Sequence, residues 1–248
     1  PGYKKAKIRG IQTHDSSVNS VQLGARAAIN LQGIEPDELA RGCQVATPNY
    51  FQNHSILGAK VSLLSTSKHP IIQNQRVRIH LGTQEVMARV ALPDRKSIEP
   101  GDVGPVIFKL ESPLVDAVGD KFIIRLYSPV VTIGGGEVIE TELLGKWKNN
   151  KEKITHLYNL KDDEKFRYVI GSAAGKPIGK SELGLKFGLS PEKIEIIVFE
   201  DNQLQWVKHK TLTWLLSLNQ LDLLTQRLVT FLENYHQKNL YKSGAQKE

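Results

Sequence analysis

Apolar and polar positions alternate along much of the first half of the chain, and this period of two predicts β-strands. Residues 75–81 show it clearly, because Val77, Ile79 and Leu81 share one face and polar residues stand between them. Further strands are predicted for residues 7–12, 25–31, 61–64, 84–91, 104–110 and 121–126. Segments rich in Gly, Pro and Asp separate these strands and predict turns. The first 145 residues therefore predict an all-β structure.

From residue 146 onward the apolar positions recur every three or four residues, which predicts helices. Residues 146–151 are polar and predict a linker. Ser190 and Pro191 form a helix start, since serine is a good N-cap and proline suits the first helical position. The predicted elements are helices that begin near residues 154, 162, 180 and 191, followed by a hairpin from residues 203–207 and 211–214. This order is typical of a winged helix.

The longest predicted helix covers residues 218–236. Seven apolar side chains recur along one of its faces: Leu218, Leu221, Leu224, Leu228, Phe231, Leu232 and Tyr235. An apolar face of this kind packs against other elements of a fold.

Three successive glycines, Gly134–Gly136, lie between the apolar strand that ends at Leu126 and the apolar pair Val138 and Ile139. Glycine permits a positive φ or a very close approach of another segment. Pro129 restricts the preceding backbone to an edge or a corner of a sheet. These residues predict a glycine corner between two strands of a small closed β-barrel, rather than a flexible linker with polar flanks.

Composition limits the classes of protein to be considered. The chain has 248 residues, enough for about two domains. Its single cysteine, Cys43, excludes an internal disulfide and a cysteine-based zinc site, and fits a reducing, cytoplasmic environment. The sequence contains neither a signal peptide nor an apolar run of about 18 residues, so we expect no membrane contact. The first residue is not methionine, and we expect a fragment of a longer protein.

Several motifs resemble one family. The pattern Arg125-x-Tyr-Ser-Pro-x-x-Thr-Ile-Gly-Gly-Gly-x-Val138 resembles the end of the third domain of the selenocysteine-specific translation elongation factor, a translational GTPase. Residues 80–86 and 119–125 resemble the same domain, and residues 24–33, Gly-x-Arg-x-Ala-x-Asn-Leu-x-Gly, resemble domain two. Residues 235–244 resemble the opening of the second winged helix of that factor.

The resemblance implies a multi-domain fold, with all-β barrels followed by α/β winged-helix domains. The implied domains are residues 1–50 (the C-terminal part of the domain two barrel), 55–145 (the domain three barrel), 146–215 (a first winged helix) and 216–248 (the start of a second). Because the first strands of domain two are missing, its strand edges should lack partners.

The resemblance also implies a function. The parent protein would deliver selenocysteyl-tRNA to the ribosome at recoded UGA codons and would recognise an mRNA hairpin through its last winged helix. GTP and Mg²⁺ would bind a GTPase domain upstream of this chain. We therefore expect no catalytic residue, no cofactor site and no metal site here, and no enzymatic activity of the chain by itself.

Arg26 is the sharpest candidate site residue. The resemblance places it where ordinary elongation factors carry a neutral residue in the amino-acid pocket. A selenol is ionised at neutral pH, and a guanidinium is always charged, so Arg26 would favour selenocysteine over serine. Gln12 and His14, expected on the neighbouring strand, match the family's Gln-x-His and would face the same end of the tRNA. An ordinary surface charge on a barrel strand is the alternative for Arg26.

Two other functions fit parts of the sequence. Residues 174–181 resemble a phosphate loop, but Pro177 removes one of the N–H groups that such a loop needs. A winged-helix regulator with a β-barrel sensor domain is the other alternative. Its recognition helix should be basic, whereas residues 191–201 are net acidic, which favours a spacer or a protein contact. If this domain touches nucleic acid, the better candidates are Lys176, Lys180, Lys208 and Lys210.

Overall fold

The computed structural model describes residues 4–46, 48, 53–141, 143, 145–172, 178–187, 189–210 and 212–239. The strands of the first part are β1 (Lys7–Thr13), β2 (Ser16–Val18) and β3 (Ala28–Gln32), followed by a 3-10 turn, Pro36–Glu38. Eight strands follow: β4 (Asn53–Leu63), β5 (Ile71–Ile72), β6 (Arg76–Leu81), β7 (Gln84–Ala91), β8 (Ser97–Ile98), β9 (Val103–Val115), β10 (Lys121–Leu126) and β11 (Thr132–Glu140). The last part contains α1 (Trp147–Asn159), α2 (Asp162–Ser172), β12 (Ile178–Gly179), α3 (Lys180–Phe187), α4 (Pro191–Glu200), β13 (Leu204–His209), β14 (Leu212–Ser217) and α5 (Leu218–Lys238).

The first three strands form an antiparallel sheet in the order β2-β1-β3. The strand predicted for residues 25–31 begins only at Ala28, and β2 was not predicted. Most side chains of this sheet are exposed on both faces, and Ile29 is still 40% exposed. The strands of this sheet therefore pair in a defined register, but the sheet buries few apolar side chains of its own.

Strands β4, β6, β7, β9, β10 and β11 form a closed barrel, in the order β10-β11-β4-β9-β7-β6. Alternate residues point inward, as the period of two requires. The interior holds fully buried side chains from every strand, including Leu57, Val77, Ile79, Phe108 and Ile124. The rings of Phe108 and Phe122 meet edge to face, with centroids 5.7 Å apart. The prediction of a closed β-barrel is confirmed.

The predicted glycine corner is wrong. Gly134, Gly135 and Gly136 lie inside β11, and none of them has a positive φ. They are required because neighbouring strands come very close: a Cβ on Gly134 would stand 2.5 Å from the carbonyl oxygen of Ser62, and a Cβ on Gly136 would stand 2.4 Å from that of Lys60. The chain turns earlier, between Leu126 and Thr132, where Pro129 was expected to mark a corner.

Helices α2, α3 and α4 and the three-stranded sheet β12-β14-β13 form the winged helix. Its core brings together Phe166, Ile170, Leu183, Ile194 and Leu215. The predicted start of α4 is confirmed, since the Ser190 hydroxyl accepts a hydrogen bond of 3.3 Å from the main-chain N–H of Lys193. The succession of barrel and winged helix agrees with the fold class predicted from the sequence.

The predicted linker at residues 146–151 is wrong, because α1 begins at Trp147. Its indole lies 4.2 Å from the Lys109 ammonium, measured from the ring centroid, so a barrel side chain stabilises the first turn. Helix α1 packs Ile154 and Leu157 against the outer wall of the barrel. The boundary between the barrel and the helical region is therefore a packed interface.

Helix α5 begins with a capping box. The Ser217 hydroxyl accepts from the Gln220 main-chain N–H at 3.2 Å, and the Gln220 side chain accepts from the Ser217 N–H at 3.1 Å. Gln220 also donates to the carbonyl of Ile170, which anchors α5 on the winged helix. Beyond that turn, Leu228 and Phe231 of the predicted apolar face are more than half exposed.

Candidate functional site

The sheet β2-β1-β3 brings Gln12, His14 and Arg26 to one end. Gln12 is near the end of β1, opposite Ser17 of β2 and Ala28 of β3. His14 follows in the turn between β1 and β2, with a positive φ of 48°. Arg26 lies two residues before β3 begins. His14 and Arg26 thus lie just outside the strands in which they were expected.

Thr13 connects these residues and was not identified from the sequence. Its hydroxyl donates to the main-chain carbonyl of Arg26 at 3.1 Å and lies 3.2 Å from Nδ1 of His14. A hydroxyl that donates its only hydrogen to the carbonyl can still accept from an Nδ1–H group. Thr13 therefore fixes the backbone at Arg26 beside the turn that carries His14. The sequence carries no local signal for this role, because the Thr13 contact depends on the pairing of β1 with β3.

Gln12, His14 and Arg26 are all exposed. The guanidinium of Arg26 is a permanent cation with a planar set of donors, and it suits a carboxylate, a phosphate or another anion. The amide of Gln12 and the imidazole of His14 can both donate and accept hydrogen bonds. The end of this sheet can therefore bind an anionic group beside a polar one, without any covalent chemistry.

A second group of arginines lies on the outside of the barrel. Arg76 forms two hydrogen bonds to the Glu111 carboxylate, and Arg78 pairs with Glu85. Both guanidinium groups also lie over the ring of Tyr127, at 4.6 and 5.5 Å. The arginine partners lower the pKa values of Glu85 and Glu111, so both carboxylates stay ionised. This face has mixed charge, and it suits a phosphate backbone less well than unpaired cations would.

Helix α4 of the winged helix carries acidic side chains with local partners. Glu195 pairs with Lys180 at 2.5 Å, and Asp201 pairs with Arg167 of α2. Phe199 projects from the same helix and is 92% exposed. Among the predicted lysines, Lys180 is thus engaged, whereas Lys208 and Lys210 are exposed on the hairpin of β13 and β14. Lys176 lies outside the described residues, as do residues 174–177 of the phosphate-loop pattern.

A metal ion or a nucleotide would need its own set of ligands. In that part of the chain no three His, Cys, Asp or Glu side chains come together as a metal site would require. Lys180, which a phosphate loop would point at phosphates, instead pairs with Glu195. Within the described residues, Lys180 and the available carboxylates therefore do not form a site for GTP and Mg²⁺. No described helix combines the length and the apolar character needed to cross a membrane.

Comparisons with known proteins agree on one family. A family model described as the β-barrel domain of the selenocysteine-specific elongation factor matches residues 58–143. A selenocysteine-specific elongation factor of Desulfomicrobium baculatum is 27% identical in an alignment 259 residues long, and the alignment covers 98% of this chain and 39% of that protein. One from Methanocaldococcus jannaschii is 28% identical over 207 residues, which cover 77% of this chain and 43% of that protein.

A solved structure gives the same answer for the fold. The crystal structure of a bacterial selenocysteine-specific elongation factor, EF-Sec, superposes with a TM-score of 0.68 and 17% identity, over 94% of this chain and 35% of that one. The chain thus spans less than half the length of the relatives that it matches.

Proposed function

We propose that the chain is part of a selenocysteine-specific elongation factor, one that delivers selenocysteyl-tRNA to the ribosome at recoded UGA codons. In this proposal the barrel and the preceding sheet contact the tRNA, and the winged helix extends toward the mRNA. An mRNA hairpin would be recognised through a further winged helix. Such a factor works in the cytoplasm, where translation takes place.

The observation that carries the proposal is the match of the family model to residues 58–143. That range contains nearly the whole closed barrel, from β4 to β11. The rival function, a DNA-binding regulator, needs a cationic recognition helix. The acidic residues of α4, paired with Lys180 and Arg167, favour the translation factor.

Arg26 is proposed to select the amino acid. A selenolate beside a guanidinium forms a charge-assisted contact, whereas the neutral hydroxyl of serine leaves the cation without an anionic partner. Gln12 and His14, at the same end of the sheet, would contact the end of the tRNA. Thr13 supports this arrangement by holding the main chain of Arg26 in place.

GTP and Mg²⁺ belong to the proposal only through the longer protein. They would supply the switch between tRNA binding and release. The described residues of this chain contain no cluster of metal ligands, and Lys180 pairs with Glu195, so these residues would hold neither group.

The test measures dissociation constants of the whole factor, in its GTP-bound form, for selenocysteyl-tRNA and for seryl-tRNA. Arg26→Ala should weaken selenocysteyl-tRNA by roughly tenfold or more, because a charge-assisted hydrogen bond contributes about 1.5–3 kcal/mol. Seryl-tRNA should be nearly unaffected, because its neutral hydroxyl gives the guanidinium no anionic partner to lose. Contacts to the phosphates, which both tRNAs share, cancel in the comparison. Arg26→Lys should recover part of the discrimination, because charge remains without the planar donors.

Arg9→Ala is the matched control, because Arg9 is another exposed arginine of the same sheet, on β1. It should change the two affinities equally, or neither. Equal losses for both tRNAs in Arg26→Ala would contradict amino-acid selection by this residue. Failure of the unaltered factor to bind selenocysteyl-tRNA, or sequence-specific binding of duplex DNA, would overturn the proposed function itself.

A further inference from the structure

The end of the barrel's last strand carries a buried carboxylate. Glu140, the final residue of β11, has no exposed surface. Its Oε2 atom lies 2.6 Å from the Nζ atom of Lys153 on α1, and its Oε1 atom lies 3.7 Å from the Nζ atom of Lys186 on α3. One carboxylate of the barrel therefore has ionic partners on two different helices.

An ionised group in this position needs its partners. Taking a carboxylate out of water costs several kcal/mol, and breaking a buried pair from one side leaves the remaining charge uncompensated. Lys186 is itself largely buried, with its side chain only 13% exposed. Burial raises the pKa of Tyr168 on α2, and the negative charge of Glu140 raises it further. One residue of each of the helices α1, α2 and α3 thus interacts electrostatically with this carboxylate.

The neighbouring packing fixes α1 on the barrel. The wall of β4 has a glycine, Gly58, where a Cβ would stand only 2.0 Å from Cδ1 of Ile154. Ile154 therefore fits into a socket that exists because residue 58 has no side chain. The Tyr158 hydroxyl also donates to the carbonyl of Val103 on β9, at 3.2 Å. With α1 held in this way, Lys186 is the charged contact that continues from the barrel to α3.

We propose that Glu140 is an electrostatic junction that fixes the orientation of the winged helix relative to the barrel, through Lys153 of α1 and Lys186 of α3. The apolar socket holds α1, and the ion pair with Lys186 selects one orientation of the helices that follow. The partly buried pair should resist salt better than surface pairs do, because bulk ions screen it poorly. This inference concerns the conformation of the chain and does not depend on the proposed function.

The test uses spin labels and measures distances in the full chain by pulsed electron resonance. The exposed Cys43 is first replaced by serine. Labels at the exposed positions Ser112 of β9 and Gln205 of β13 measure the distance between the barrel and the winged helix. Labels at Ser112 and the exposed Glu152 measure the distance between the barrel and α1. The unaltered chain should give one narrow distance distribution for each pair.

Lys186→Gln should broaden the distribution from 112 to 205 by roughly twofold or more, while the distribution from 112 to 152 stays unchanged. Lys186→Arg should keep it narrow, because the charge is retained. Lys193→Gln is the matched control, since it removes one exposed lysine from the adjacent helix α4. If Lys186 only stabilised the fold, Lys186→Gln would lower the melting temperature and broaden neither distance distribution.

Two outcomes would overturn the proposal. One is a narrow distribution in Lys186→Gln, identical to that of the unaltered chain. The other is a broad distribution from 112 to 205 already in the unaltered chain, which would mean that the barrel and the winged helix reorient freely. Glu140→Gln should broaden the same distance. If Glu140→Gln does not fold, Lys186→Gln still tests the proposal, because it leaves the buried pair of Glu140 and Lys153 intact.

Discussion

The closed barrel and the sheet β2-β1-β3 are built from the same kind of antiparallel strand, yet only the barrel has a core. In the barrel every strand has two neighbours, and Leu57, Phe108 and Ile124 are fully buried. In the sheet, β2 and β3 each pair with β1 alone, and Ile29 remains substantially exposed. The difference shows that an alternating sequence specifies a strand, whereas closure decides how much that strand stabilises the fold.

This comparison also separates stability from function. The barrel provides the buried apolar area, which is the main favourable term in folding. The candidate site residues are all exposed: Gln12 lies in the open sheet, and His14 and Arg26 lie just beyond its strands. Binding residues are commonly carried by exposed segments on a rigid support. The small contact of Gly42 with Gln84 of β7 is one place where the open part touches the barrel.

The strongest way to test the contrast is a pair of glycine substitutions. Gly136→Val should lower the free energy of unfolding by about 4 kcal/mol or more, enough to prevent the barrel from folding at physiological temperature. The added Cβ would meet the carbonyl oxygen of Lys60 at 2.4 Å and the ring of Phe122 at 2.7 Å, and the backbone of a closed barrel has little room to move. Urea denaturation followed by circular dichroism measures the change.

Gly10→Val is its control in the open sheet. Gly10 also lies within a strand, but a Cβ there would have nothing within 4 Å. The variant should change the unfolding free energy by less than about 0.5 kcal/mol. Equal destabilisation by both variants would show that the open sheet is as tightly constrained as the barrel, and would remove the contrast.

A smaller effect is expected from a pair of isoleucines. Ile124→Ala should cost about 2–5 kcal/mol, because the fully buried side chain leaves a cavity that a barrel fills poorly. Ile29→Ala should cost less than about 1 kcal/mol, since that side chain is 40% exposed already. The melting temperatures of the two variants give the comparison directly. A large loss in Ile29→Ala would contradict the contrast, because it would mean that the open sheet packs this side chain as tightly as the barrel packs Ile124.

The positions of strands and helices could be predicted from the sequence better than the contacts that they make with distant segments. Alternation was sufficient for β6 and β7, and Ser190 with Pro191 was sufficient for the start of α4. For Gly134–Gly136 the sequence left a positive φ and a close approach both open, and the choice depends on how closely β4 and β10 approach β11. The start of α1 at Trp147 was missed for a similar reason, since its polar first turn is stabilised by Lys109, 38 residues earlier.

The candidate site was predicted in part. Arg26, Gln12 and His14 followed from the resemblance, and the antiparallel pairing of β1 with β3 brings them to one end of the sheet. Thr13 was missed, because its contact joins a side chain to a main-chain carbonyl 13 residues away, and no local pattern encodes such a contact. Glu140 was missed as well, since its partners lie on helices that the sequence did not place against the barrel.

The smallest expected effect concerns Arg26 itself. Arg26→Ala should change the free energy of unfolding by less than about 0.5 kcal/mol, as exposed substitutions away from special contacts usually do. The hydrogen bond from Thr13 ends on the main-chain carbonyl of Arg26, so it survives the loss of the guanidinium. Thr13→Val keeps a similar shape and removes that bond, and it should cost about 0.5–1.5 kcal/mol. Hydrogen exchange of the amides in β1 and β3 measures both variants. If Arg26→Ala speeds this exchange as much as Thr13→Val does, Arg26 supports the sheet, and any change in tRNA affinity would then follow from altered structure rather than from a lost contact to the amino acid.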